Sequence, residues 1–127
     1  MEHYVRPDRM PPANGYSHAV AFNLPALVIS GQVPLSAEGQ LIGPGDARAQ
    51  VRQVFQNLGT ALAAAGATME NLVKLTVFLT DMADLQAFRE VRDEFISLER
   101  PPASSLVQVS GLVNPEFKVE IEAIAAL

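Results

Sequence analysis

Residues that can move protons are few in this sequence, and the best placed are Glu120 and His18. Glu120 stands in an alternating run near one end, and His18 follows Tyr16 by two positions. A carboxylate or a neutral imidazole can take a proton from water near neutral pH and return it. Ser30-Gly31 ends a β-rich run, and glycine there lets backbone N–H groups approach a ligand. These residues are therefore candidates for acid–base chemistry on a small molecule.

Each candidate also has a purely structural interpretation. Glu120 and Glu122 could be solvated charges on an edge strand, and we expect Glu122 to be structural. His18 could bond a backbone carbonyl and only shape a wall, and Ser30-Gly31 could be a strand-end bulge. His3 lies in an N-terminal arm that we expect to be mobile, and we assign it no role.

Composition excludes several classes of function. The chain has no cysteine and only two histidines, without E-x-x-H spacing, so we expect no metal and no cofactor. Phosphate-binding glycine motifs and a G-x-S-x-G elbow are absent. The net charge of −5 and the lack of any basic run argue against nucleic-acid binding. The polar N-terminus and the short apolar runs predict no signal peptide, no membrane association and a cytoplasmic location.

The length of 127 residues fits one domain, residues 1–127, with a core of its own. Periodicity, caps and Gly/Pro breakers predict its elements. They are an extended arm over 1–17, a β-hairpin over 18–22 and 26–33, a helix over 47–65 between Asp46 and Gly66, a strand over 72–80, a helix over 84–98, and strands over 104–110 and 117–126. The order β-β-α-β-α-β-β indicates an α+β fold with two helices on one sheet face.

The second helix divides into an apolar and a charged face. Phe88 and Leu98 belong to the apolar face, whereas Arg89, Arg92 and Asp93 belong to the face that we expect in solvent. On that face Arg89 would pair with Asp93, four residues along.

The sheet is predicted to have two faces of different character. In the strand over 72–80, Val73, Leu75, Val77 and Leu79 alternate with Lys74, Thr76 and Phe78. Two helices cover only the first face. The second is too apolar for open water and too polar for a core, as subunit interfaces are. We therefore expect a homo-oligomer packed through sheet faces, with ligand-binding clefts between subunits.

Several segments, in order along essentially the whole chain, resemble the RidA family, also called YjgF. They are GYSHAV (15–20), VISGQVP (28–34), VKLTVFLTDMADL (73–85), PPAS (101–104), VQV (107–109) and VEIEAIA (119–125). The resemblance implies a chorismate-mutase-like mixed sheet, a homotrimer with three intersubunit clefts, and hydrolysis of reactive imines and enamines to keto acids and ammonia. Activity does not follow from the fold alone.

The resemblance also assigns cleft residues by motif position. Tyr16 corresponds to the tyrosine of the family's P-Y-S motif, Ser30-Gly31 to its S-G-Q motif, and Glu120 to the first glutamate of E-I-E-A-I-A. It implies that Glu120 orients the attacking water. His18 is our own candidate to aid Glu120, from the acid–base chemistry of its imidazole. Tyr16, Ser30 and Gly31 would then line the substrate pocket.

Four positions depart from the family pattern. Ser104 replaces the arginine that holds the substrate carboxylate, Leu106 a frequent cysteine, Arg89 a helix asparagine and His18 a glutamine. A neutral hydrogen bond contributes about 1 kcal/mol against about 1.5–3 kcal/mol for a charge-assisted one. A free 2-imino acid should therefore bind about ten- to a hundredfold worse. Arg89 would replace the guanidinium only if it turned into the cleft, and the helix pattern favours solvent beside Asp93.

Three functions remain open, and we favour the first. It is a small-molecule hydrolase that deaminates a compact imine, enamine or related carbonyl compound without a free carboxylate, using Tyr16, Ser30, Gly31 and Ser104 to line the pocket. The second is a non-catalytic metabolite-binding or chaperone-like module of the same fold. The third is a deaminase or tautomerase that acts on a ring compound.

Overall fold

The computed structural model describes residues 1–127. Its strands and helices are β1 (Glu2–Tyr4), β2 (Ala19–Ala21), β3 (Ala26–Gln32), α1 (Ala47–Ala64), β4 (Leu72–Leu79), α2 (Leu85–Phe95), β5 (Ala103–Gln108) and β6 (Val119–Ala126). Single 3-10 turns over Met69–Asn71 and Met82–Asp84 precede β4 and α2. Neither helix combines the length and the hydropathy that crossing a membrane requires.

A mixed four-stranded sheet forms the body of the fold, in the order β3-β6-β4-β5. β5 runs parallel to β4, and the other neighbours are antiparallel. β1 and β2 form a separate antiparallel pair. The α+β prediction with two helices on one face is confirmed, because residues of both helices join those of the sheet in one core.

The core forms where the predicted alternation puts it. Val73, Leu75, Val77 and Leu79 of β4 are buried, as is every second residue of β6 from Val119 to Ala125. α1 begins at the predicted cap, since Asp46 accepts a hydrogen bond from the N–H of Ala49 at 3.1 Å. Its end also matches, because Gly66 follows with φ of +72°, a conformation that favours glycine. Local sequence patterns are therefore sufficient to specify both ends of α1 and the buried faces of β4 and β6.

The predicted hairpin over 18–22 and 26–33 is wrong. β2 pairs with β1, with His3 opposite Val20, so the N-terminal arm contributes a strand. β3 instead pairs with β6 in the main sheet. The physical reason is that β3 finds a long apolar partner in β6, which buries more surface than a short hairpin would.

The second helix is shorter than expected at its C-terminal end. α2 stops at Phe95, and Ile96 adopts extended geometry and is buried. The chain therefore turns away, and Leu98, expected on the buried face, is 59% exposed.

The sheet face opposite the helices is uncovered within the chain. Val28 of β3 is 76% exposed and Val107 of β5 is 47% exposed. Lys74, Thr76 and Phe78 of β4 are half-buried on the same face. The mixed surface on which we based the expectation of a homo-oligomer is thus present.

Candidate active site

Four candidate residues meet beside α2. Tyr16 from the loop before β2, Arg89 from α2, and Ser104 and Leu106 from β5 line a cavity of about 260 Å³, which we call the α2–β5 cavity. Its other lining residues were not among the site candidates, and they are Asn14, Met82, Leu85, Phe88 and Arg92.

Arg92 was expected in solvent and is buried instead, with a side chain only 8% exposed. Nη1 donates to the carbonyl of Asn14 at 3.2 Å, and Nη2 donates to Oδ1 of the same residue at 3.1 Å. Gly15, at φ of +71°, lies so close to the guanidinium that a Cβ would collide with it. The loop before Tyr16 is therefore fixed against α2, and the Asn14-Gly15 pair is the sequence signal for that turn.

Arg89 does not pair with Asp93 as expected. Nε and Nη2 of Arg92 donate to Oδ1 of Asp93 at 3.0 and 2.9 Å, so the neighbouring arginine takes this partner. Arg89 is half-buried and lines the α2–β5 cavity. The expected pair four residues apart does not form, because Arg92 bonds both the loop at Asn14 and the carboxylate of Asp93.

Glu120 belongs to a second group, with Gly31 and Ser30. A Cβ built at Gly31 would lie 2.6 Å from Oε2 and 2.8 Å from Cδ of Glu120, so only glycine lets the carboxylate lie there. β6 is an interior strand, which rules out the alternative of a charge on an edge strand. The pairing of β3 shifts register between Ile29 and Gln32, so Ser30 and Gly31 form a β-bulge.

The two groups lie on opposite faces of the sheet. Ser104 pairs with Leu75 in the core-facing set of β4, whereas Glu120 pairs with Phe78 on the uncovered face. Residues directly opposite in neighbouring strands share a face, and successive residues alternate. One chain therefore does not place Glu120 and Ser104 on the same small molecule.

His18 lies beside Tyr16. Its Nε2 is 2.9 Å from the carbonyl oxygen of Pro11, and its ring meets that of Tyr16 edge to face at 5.3 Å between centroids. The ring of His18 thus has a backbone neighbour, and it does not line the α2–β5 cavity. His3, expected in a mobile arm, lies in β1 opposite Val20 of β2, and its Nδ1 is 2.8 Å from the carbonyl oxygen of Pro101.

The charges around the α2–β5 cavity are of one sign. Arg89 and Arg92 line it, and no carboxylate does, although the chain carries 14 acidic residues and a net charge of −5. No three histidine or acidic side chains are grouped as metal ligands would be. The geometry is thus one for binding a compact, negatively polarised molecule by hydrogen bonds and a guanidinium.

Comparison with known proteins assigns the chain to a family. Residues 7–127 match the family model described as Endoribonuclease L-PSP. The chain belongs to the RidA/YjgF family. Among its RidA/YjgF relatives is a protein named 3-aminoacrylate deaminase RutC from Acinetobacter baylyi, 37% identical over 76% of this chain and 75% of that protein.

Solved structures of the RidA/YjgF family share the fold. A Rid-family protein named YyfB from Yersinia pestis superimposes with a TM-score of 0.89, at 38% identity over 97% of this chain and 96% of that chain. A RidA from an Antarctic Psychrobacter gives a TM-score of 0.75, at 36% identity over 99% of this chain and all of that chain. The fold expected from the resemblance is therefore confirmed.

Proposed function

We propose that this protein hydrolyses the C=N bond of a compact imine, or of the imine form of an enamine, in clefts between subunits of a homotrimer. The observation that carries the proposal is the division of the candidate residues between two sheet faces, with Glu120 on the uncovered one. A second copy packed on that face would bring its Glu120 towards the α2–β5 cavity of its neighbour. Each cleft would then hold a carboxylate from one copy and a binding pocket from another.

The chemistry follows from these positions. In the cleft, the Glu120 carboxylate takes a proton from a bound water as the water oxygen adds to the carbon of the C=N bond. That proton passes to nitrogen and gives a carbinolamine. The carboxylate then carries the proton of the new hydroxyl group to nitrogen as the C–N bond breaks, and ammonia and a carbonyl compound leave. Ser104 donates a hydrogen bond to the substrate, and Tyr16 forms the wall. The backbone of the Ser30-Gly31 bulge leaves room for the carboxylate.

A relative named as a deaminase supports this reaction class, since 3-aminoacrylate is an enamine. The description Endoribonuclease L-PSP suggests RNA as a substrate, but the net charge of −5 disfavours a polyanion. We therefore place small-molecule deamination first.

The test is ammonia release from an imine that an amino-acid oxidase generates in the assay. Glu120→Gln keeps the shape but removes the base, so kcat/KM should fall about 10²- to 10⁴-fold. Glu122→Gln is the matched control, because Glu122 stands two residues along β6 and is exposed. Equal effects of the two substitutions would refute the role of Glu120.

The non-catalytic alternative has one observation in its favour. His18, the other candidate for proton transfer, lies at hydrogen-bond distance from the Pro11 carbonyl and does not line the α2–β5 cavity. A wild-type protein that is stabilised by keto acids or amides in thermal-shift assays, yet releases no ammonia from any imine, would establish that alternative. A monomer in sedimentation experiments would refute the shared cleft.

A further inference from the structure

Arg89 differs from every other arginine on the two helices. The others each form an ion pair, and these pairs are Arg48–Glu90, Arg52–Glu94 and Arg92–Asp93. Arg89 has neither an ion pair nor a hydrogen bond within the chain, although it is half-buried. A guanidinium is always charged and offers five donors in a planar fork. Partial burial without an acceptor leaves that fork available to a ligand.

The surroundings of Arg89 favour an anion. No carboxylate lines the α2–β5 cavity, and the only other charged side chain there is Arg92. Asn14 and Asp93 already bind the guanidinium of Arg92 and fix it. Arg89 is therefore the group in the cavity that can bind a new partner, and Ser104 supplies a hydroxyl in the same cavity.

The size of the cavity limits what this partner can be. A volume of about 260 Å³ equals roughly nine water molecules at about 30 Å³ each. That space fits an acid of a few carbon atoms. The planar fork of arginine matches a carboxylate in two parallel hydrogen bonds.

We propose that Arg89, which stands outside the family's carboxylate-binding position, binds the carboxylate of the substrate. The inference rests on the proposed function for the reacting C=N group and on the cavity for the anion. It reverses the expectation that a free carboxylate would bind poorly, because that expectation required Arg89 to point into solvent. The guanidinium that is missing from β5 at Ser104 is supplied from α2.

The experiment measures binding and needs no turnover. Isothermal titration compares 2-oxobutanoate with its neutral amide, 2-oxobutanamide. Wild type should bind the acid about 10- to 100-fold more tightly than the amide, the factor expected for a charge-assisted pair. Arg89→Ala should bind acid and amide equally, and Arg89→Lys should keep part of the preference, since lysine has the charge without the fork. Arg100→Ala is the control, because Arg100 is exposed and lies outside the cavity.

The outcomes separate the two proposals. A wild type that does not prefer the acid, or an Arg89→Ala variant that keeps the preference, overturns the role of Arg89. Thermal unfolding of each variant shows that it is folded. If the acid preference depends on Arg89 but no imine is hydrolysed, the carboxylate site stands and the proposed reaction fails.

Discussion

Replacing Gly31 by alanine tests whether the carboxylate of Glu120 must stay where it lies. The new methyl carbon would stand 2.6 Å from Oε2 and 2.8 Å from Cδ of Glu120. Nonbonded heavy atoms attract best at about 3.5 Å. The carboxylate must therefore move by about 1 Å, and Glu120 is half-buried, so its side chain has room to move outward.

The expected magnitude follows from that displacement. A reacting group misplaced by 1 Å can cost about 100-fold in rate, which is about 3 kcal/mol of transition-state stabilisation. Alanine also reduces the freedom of the unfolded chain, which stabilises the fold by about 0.4–1 kcal/mol and offsets part of the crowding. We expect a large loss of kcat/KM with a free energy of unfolding within about 1 kcal/mol of wild type.

Ammonia release from an imine generated in the assay gives kcat/KM, and urea titration gives the free energy of unfolding. Gly111→Ala is the control, because a Cβ at Gly111 meets nothing within 4 Å. In the Glu120→Gln background, Gly31→Ala should cause little further loss, since the group that it displaces no longer acts. Wild-type kcat/KM in Gly31→Ala, or an equal loss in both backgrounds, would refute the reasoning.

Three further substitutions test the fold and the histidine. Gln50→Leu removes a buried amide whose Oε1 accepts from the N–H of Lys118 at 2.7 Å. The N–H then lacks a partner, so urea titration should show a loss of about 1–3 kcal/mol. A hydrogen bond from Arg48 is the main cause that lowers the pKa of Glu90. The stability that Glu90→Gln loses should therefore be present at about pH 7 and disappear as the pH falls through that lowered pKa. Urea midpoints of wild type and variant, measured at intervals from about pH 7 down to about pH 2, would show this. His18→Gln should leave kcat/KM within about 3-fold of wild type, whereas loss of a true general base costs about 100-fold or more.

Local patterns were sufficient for α1 and for the buried faces of the long strands. The cap at Asp46, the glycine at 66 and the alternation in β4 each act within a few residues, so the sequence carries them directly. Local patterns could not predict that β2 pairs with β1. Strand pairing depends on how much surface each distant partner buries, and no local signal ranks β1 against β3.

The sequence predicted which residues are candidates for the site, but only partly on which face of the sheet or helix each one lies. The alternation of β6 already placed Glu120 on the face away from the helices. The short strand β5 has no clear alternation, so the side on which Ser104 lies required its register with Leu75. Arg89 could not be oriented from helix periodicity, because the outcome depends on a loop at Asn14 that reaches Arg92 across 78 residues of sequence.

The position of β6 between β3 and β4 has a consequence for folding kinetics. β3 bonds no other strand of the main sheet, and its pairing joins Ala26 to Ala126. The sheet can close only after a loop of nearly the whole chain forms, and topologies with such distant pairings fold in milliseconds to seconds. Until then β3 and β4 each present an open edge to other chains, which invites aggregation. The yield of native protein therefore depends on how quickly β6 docks between its two neighbours.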